Sequence, residues 1–159
     1  MKEIILITGA RGNLANVVKD RLSKKYTIRF LTTNKKLVNN NNVFYWNIDD
    51  GYINCKALEN CNHIIHLAGY PIINRWTKKN KKIMFTSRVN SSELIFEKCK
   101  ENNIKPKTFI SASAIGYYGL NSKGIKSEND NKGKDWVADL VNSWEKSANN
   151  FNSIGCRVV

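Results

Sequence analysis

The sequence predicts an α/β fold, a parallel, doubly wound sheet with helices on both faces. Three observations predict it. Short apolar runs alternate with amphipathic segments from one end of the 159 residues to the other. The segments between the runs are long enough to be helical crossovers, and right-handed crossovers set parallel strands side by side. A glycine-containing turn directly follows the first apolar run. Together these describe a Rossmann-type domain over residues 1–159, with no internal repeat and no flexible linker.

Each element follows from its own pattern. Residues 3–8 are an apolar β-type run, and Thr8 to Ala15 is the glycine-containing turn. Leu14, Val17, Val18 and Leu22 recur at helical spacing and predict an amphipathic helix to about Lys24. Thr27 to Thr33 reads as a second strand, and the Asn-rich stretch 39–42 is a loop before a third at Val43 to Trp46. A short helix is expected over Cys55 to Asn60 and a fourth strand over His63 to Leu67. A long helix starts near Lys79 or Thr86 and runs to Glu101; Pro106 then leads into a fifth strand, Thr108 to Ser111. After the polar loop Asn121 to Lys134, Trp136 to Asn149 carries the apolar stripe of a helix, and Cys156 to Val159 starts another strand.

Composition narrows the function classes. With 42% hydrophobic and 10% aromatic residues the chain is an ordinary globular protein with room for one sizeable core. No apolar run approaches the roughly 20 residues of a membrane helix. The N-terminus passes almost at once into Glu3-Ile4-Ile5-Leu6-Ile7, so no signal peptide is read and the cytoplasm is the expected location. The four cysteines, Cys55, Cys61, Cys99 and Cys156, lack the short spacing of a zinc site; no metal is expected, and reduced, mostly buried thiols are. A net charge of +13 suits nucleic acid, anionic lipid or a phosphorylated cofactor. The lysines, however, are dispersed among asparagines and isoleucines, as an AT-rich coding bias would produce, and no aromatic–basic motif accompanies them. Nucleic-acid binding is therefore not favoured, and Lys78-Lys79-Asn80-Lys81-Lys82 reads as a solvated helix face.

The strongest motif is Gly9, Gly12 and Ala15, the pattern T-G-x-x-G-x-x-A between first strand and first helix. Gly9 permits the tight turn, Gly12 lets the backbone approach a pyrophosphate, and Ala15 lets helix pack on strand. The helix N-terminus at Asn13 and Leu14 then offers its N–H groups and positive dipole end to phosphates. A plain βα turn would use the same glycines for geometry alone. At the end of the second strand an acid would bind the ribose hydroxyls and repel a 2′-phosphate. Thr32-Thr33-Asn34-Lys35-Lys36 has no acid, and Arg11 adds a cation inside the turn, which favours NADP(H) over NAD(H). The alternative is that Lys35 and Lys36 are solvated loop lysines. Asp49 is the candidate partner of the adenine, and Ala68 and Gly69 let the backbone run close to the cofactor.

These residues and three further segments resemble the extended (atypical) short-chain dehydrogenase/reductase superfamily, in its NAD-dependent epimerase/dehydratase-like branch. The segments are His66-Leu67-Ala68-Gly69 with Pro71-Ile72 and Arg75-Trp76; Ser87-Arg88-Val89-Asn90; and Ser111-Ala112-Ser113-Ala114-Ile115-Gly116-Tyr117-Tyr118-Gly119. The pair Trp144-Glu145 also fits. The resemblance spans the whole chain and implies the N-terminal part of the family's protein, without its substrate-binding region.

The resemblance also implies a catalytic set: a Ser or Thr after the fifth strand that polarises the substrate oxygen, a tyrosinate, and a lysine one helical turn later. Ser113 suits the first role and is preferred to Ser111, which stays a cofactor-side candidate; either could simply bond the loop. No Tyr-x-x-x-Lys stands where the helix near Trp136 would carry it. Trp136 with Leu140 and Val137 with Val141 occupy that place, and Tyr52 with Lys56 lies before the fourth strand. Tyr117 and Tyr118 are the remaining acid–base candidates, with a pocket-lining role favoured for Tyr118. His63 and His66 read as structural histidines on a core strand. The expected function is an NADP(H)-dependent, epimerase-like oxidoreductase with a small, sugar-linked or other, unidentified substrate. A catalytically silent cofactor-binding scaffold is the rival, and a homodimer is the candidate assembly.

Overall fold

A strand buried on both faces has to be largely apolar, and Ile4–Thr8 is, with Ile5, Leu6 and Ile7 buried. The computed structural model describes residues 2–39 and 41–159. Strand β1 is Ile4–Thr8, helix α1 Asn13–Leu22, β2 Thr27–Thr32, β3 Val43–Asn47, β4 Tyr52–Ile53 and β5 Cys61–His66. They are followed by α2 Lys78–Phe85, α3 Ser91–Glu101, β6 Thr108–Ser111, α4 Trp136–Asn149 and β7 Arg157–Val158. The sheet order is β4-β3-β2-β1-β5-β6-β7, parallel throughout except for the antiparallel β3–β4 pair. The α/β class, the parallel sheet and its helices on both faces are as the sequence predicts.

Alternation along β1 divides the core in two. Ile5 and Ile7 point to the α1 side, where Ala15, Ile28, Phe30 and Ile65 fill the layer. Leu6 points to the other side and joins Leu31, Ile64, Ile95, Phe96, Phe109 and Phe151 beneath α3 and α4. Phe151 stacks on Phe109 with ring centroids 3.8 Å apart. The chain leaves β1 towards β2 and β3, then returns to the opposite side of β1 at β5. That reversal opens a crevice at the carboxyl ends of β1 and β5, where ligands of open α/β sheets bind.

Three local expectations are corrected and one strand is added. The helical stripe on α1 is Ala15, Val18 and Leu22, whereas Leu14 and Val17 are exposed, because small Ala15 is what lets the helix approach the sheet. Cys55 to Asn60 holds only a 3-10 turn over Cys55–Ala57, its carbonyls at Lys56 and Glu59 taken by the Arg29 guanidinium at 2.9 and 2.6 Å. The short strand β4 was not foreseen; two residues are too few for a period-2 signal. The long helix is two helices joined by a π turn over Thr86–Asn90. Among the described residues no helix is long and apolar enough to cross a membrane.

Candidate functional site

A cleft of about 1100 Å³ occupies the crevice, larger than the usual 300–1,000 Å³ of small-molecule pockets. Its floor is the glycine turn. Gly9 has φ +79°, and a Cβ there would lie 3.1 Å from the Leu67 carbonyl oxygen, so glycine meets both the backbone angle and the close approach. Gly12 donates its N–H to the Gly9 carbonyl at 2.8 Å and opens α1. No side chain caps that helix, and its first turn holds no acid, so the backbone donors and the dipole face the cleft. Arg11 and Lys82 also line it, with Asp49 as the carboxylate. A polyanion fits this charge balance.

Of the cofactor-side candidates, Gly9, Arg11, Gly12, Asp49, Ala68 and Gly69 all border the cleft. Asn13 and Leu14 stand in the first turn of α1, Leu14 with its side chain exposed, so their contribution there is the backbone. The Asn34 carboxamide accepts from the Lys36 N–H at 3.0 Å and caps a short turn just outside the cleft lining. Lys35 Nζ lies 5.2 Å from the centroid of Tyr45, itself a cleft residue, which holds the ammonium at that end. Ser111 donates its hydroxyl to the Ala112 carbonyl at 3.0 Å, and its N–H bonds the Val159 carbonyl at 2.8 Å.

The opposite wall is held by the π turn. Ser87 Oγ accepts from the Tyr70 N–H at 2.8 Å, and Arg88 Nη1 donates to the Tyr70 carbonyl at 2.9 Å. Both side chains also donate to the Met84 carbonyl, at 3.1 and 3.3 Å. Gly69 lies flat against the guanidinium, where a Cβ would come within 3.0 Å. Arg88 in turn covers the Trp144 ring at 5.2 Å. Desolvation holds its guanidinium pKa below the usual range.

His66 ties floor to wall. Thr8 Oγ1 accepts from the N–H groups of Leu67 and Ala68 at 3.0 and 2.9 Å, so its own proton goes to His66 Nδ1 at 3.0 Å. Nε2 therefore carries the ring proton, facing the Arg88 carbonyl at 3.2 Å and Ser91 Oγ at 3.1 Å. Burial lowers the ring's pKa to about 4. This is a neutral structural histidine. His63, by contrast, is half-buried and contacts Glu3 Oε2 at 3.2 Å.

The Ser113 segment lies beyond β6. Ala112 donates its N–H to the His66 carbonyl at 3.3 Å, which seats the Ser113 segment beside β5. Ser113 Oγ donates to Glu145 Oε1 of α4 at 2.5 Å, a short, charge-assisted bond. Sequence reasoning missed Glu145 as a site residue; the Trp144-Glu145 pair was the signal, but only the fold shows that it meets Ser113. Val137 and Val141 pack on Gly116, whose added Cβ would lie 2.6 Å from Val137 Cγ1. Tyr118 donates its hydroxyl to the Ser127 carbonyl at 2.8 Å, and its ring meets Tyr117 edge-on at 5.3 Å. Desolvation and then the Glu128 and Asp130 carboxylates raise the Tyr118 pKa, opposite to what a tyrosinate requires. The thiols of Cys61, Cys99 and Cys156 are buried, which raises them to about 11, 12 and 11, while Cys55 is exposed.

Residues 5–137 match the model of the NAD dependent epimerase/dehydratase family. An epimerase family protein of Staphylococcus aureus is 31% identical over 156 residues, 97% of this chain and 52% of that protein. The chain thus spans about half the length of the curated relatives it matches. Among solved structures, the nucleoside-diphosphate sugar epimerase of Corynebacterium glutamicum superposes with a TM-score of 0.79 at 24% identity, over 99% of this chain and 33% of that one. A human epimerase family protein with NADPH gives 0.74 at 20% identity, over 91% and 48%.

Proposed function

Because the chain belongs to the NAD dependent epimerase/dehydratase family, we propose that it is an NADP(H)-binding oxidoreductase acting on a small alcohol or carbonyl compound, sugar-linked compounds first. The observation that carries this reading is the cleft at the β1–β5 reversal, floored by a glycine turn and by the uncapped end of α1. The diphosphate would lie on Gly9, Gly12 and the N–H groups of Asn13 and Leu14. Asp49 would meet the adenine, and Ala68 and Gly69 would run along the nicotinamide half. Arg11, with Lys35 tethered over Tyr45, would receive the 2′-phosphate, since no carboxylate stands at the end of β2 to repel it. Proteins of similar fold carry either NADPH or NAD, so the preference rests on Arg11, Lys35 and the missing acid of this chain. When bound, the dinucleotide supplies a hydride donor or acceptor. Ser113 would position the substrate oxygen, and Tyr117 and Tyr118 would face the substrate; all three stand on the segment after β6, outside the residues that border the cleft.

Fluorescence titration with NADPH and NADH, with a Gly12→Val variant alongside, tests the reading. NADPH should bind at least about tenfold tighter than NADH, a difference of about 1.4 kcal/mol, and the variant should lose both. Failure of the wild-type chain to bind either cofactor overturns it. One observation favours a second reading, a silent cofactor-binding scaffold: Val137 and Val141 fill the face of α4 where a Tyr/Lys pair would emerge. Tight NADPH binding without turnover across an alcohol and sugar-nucleotide panel would select it. The reading includes a cytoplasmic location and a homodimer, the latter checked by light scattering.

A further inference from the structure

We propose that Ser113 and Glu145 form a hydroxyl–carboxylate relay that moves the substrate's proton, in the role that a Tyr/Lys pair would otherwise take. The inference rests on reading the cleft as a nicotinamide dinucleotide site, and it adds a positioning residue that the sequence pattern does not reveal.

Three observations carry it. Ser113 Oγ and Glu145 Oε1 are 2.5 Å apart, within the range of O–H···O⁻ bonds, so the hydroxyl proton is already directed at the carboxylate. The serine's lone pairs are then the groups left to accept a proton from a substrate hydroxyl. Among the described residues Glu145 forms no ion pair, and the serine is its one side-chain hydrogen-bond partner. Finally, the residues next to the pair tie it to elements that border the cleft, although neither Ser113 nor Glu145 is among the lining residues. Ser113 follows Ala112, which is bonded to the end of β5, and Glu145 follows Trp144, which lies under the same Arg88 that holds Gly69 and Tyr70.

The step balances as an alcohol oxidation. With an oxidised nicotinamide bound to accept the hydride, the carbinol C–H and O–H bonds would break and a C=O bond would form. The hydroxyl proton passes to Ser113 Oγ as the serine's own proton passes to the Glu145 carboxylate. Glu145 then releases the proton to water, or returns it by the same route when a carbonyl is reduced. Glu145 acts through Ser113, which touches the substrate oxygen. Neither residue binds the cofactor, so the two functions separate experimentally.

The test compares wild type with Glu145→Gln, Glu145→Asp, Ser113→Ala and the Ser113→Ala/Glu145→Gln double variant. NADPH affinity is measured by fluorescence, and turnover is measured on a panel of secondary alcohols, their ketones and UDP-glucose. The cofactor-free protein is examined for a far-downfield proton resonance from the Ser113–Glu145 bond. The relay predicts NADPH affinity within about twofold of wild type in every variant and turnover about 100-fold down in Glu145→Gln and in Ser113→Ala. The double variant should be no worse than the singles, kcat should fall more than KM rises, and Glu145→Asp should recover part of the loss. The resonance should vanish in Glu145→Gln and Ser113→Ala alike. Wild-type turnover that Glu145→Gln leaves unchanged overturns the relay and spares the oxidoreductase reading. NADPH binding with no turnover of any panel member overturns both.

Discussion

A single imidazole shows how strongly this fold depends on individual protons. His66 is fully buried, and its ring nitrogens are fixed by Thr8 on one side and by Ser91 and the Arg88 carbonyl on the other. Its folded pKa is about 4, against 6.5 in the unfolded chain. Between those values the unfolded state binds the extra proton, so stability is fully present above about pH 6.5 and is lost as pH falls towards 4. The shift corresponds to on the order of 3 kcal/mol. Urea midpoints at pH 7.5 and pH 5 should therefore differ, and His66→Asn should flatten the difference. Gly9→Ala belongs to the same scale. With φ at +79° and the Leu67 carbonyl 3.1 Å from the new Cβ, it should cost on the order of 1–3 kcal/mol, read in the same melts. At this scale the glycine turn and the structural reading of His66 were legible, because glycine chemistry is local and a histidine that follows two isoleucines on a core strand has few alternatives. Glu145 was not. Its partner lies 32 positions away, and no local rule connects a loop serine to a carboxylate on the next helix.

Helix ends and breaks decide how the elements present the site. Asp135 caps α4 by accepting from the Ala138 N–H at 2.9 Å, and it also accepts from the Leu120 N–H at 2.7 Å, so one carboxylate fastens the long loop to the helix. Those N–H groups hold its pKa below the usual carboxylate range. Asp135→Ala should lower the urea midpoint of unfolding, since it removes the helix cap and the tie to the loop together. Its contribution is lost only as pH falls below the ordinary carboxylate range, a lower window than that of His66. The two predicted starts for the long helix, Lys79 and Thr86, reflect the break between α2 and α3. A π turn widens the ladder there, so Ser87 and Arg88 can both reach the Met84 carbonyl while gripping Tyr70. Helical periodicity registers two phases at such a break and cannot say which holds. Cys55 to Asn60 misled for the opposite reason. It has a helix-like composition, but Arg29 from β2 takes its carbonyls, and a tertiary contact of that kind overrides local propensity.

Seen whole, the parallel sheet was the most legible feature, because both of its faces must be apolar and the strands record that directly. The outer surface was less so. Ile73, Ile115 and Ile125 are 91%, 89% and 100% exposed, Ile73 after β5 and the other two after β6. Exposed apolar groups at these positions attract hydrophobic dyes. Replacing all three with serine should lower anilinonaphthalene sulfonate fluorescence while leaving the unfolding free energy within about 0.5 kcal/mol. The π turn carries a larger consequence. Each helical residue advances the face by about 100°, so the extra residue held between Thr86 and Asn90 sets α2 and α3 out of phase, like two gears meshed one tooth apart. One phase directs Lys82 and Ile83 to the cleft; the other sends Ile95, Phe96 and Cys99 into the core. Deleting one residue there would leave composition, charge and nearly every side chain unchanged. It would nevertheless turn the ligand-facing helix away from the ligand, so that a chain still able to melt cooperatively would have lost one wall of its pocket.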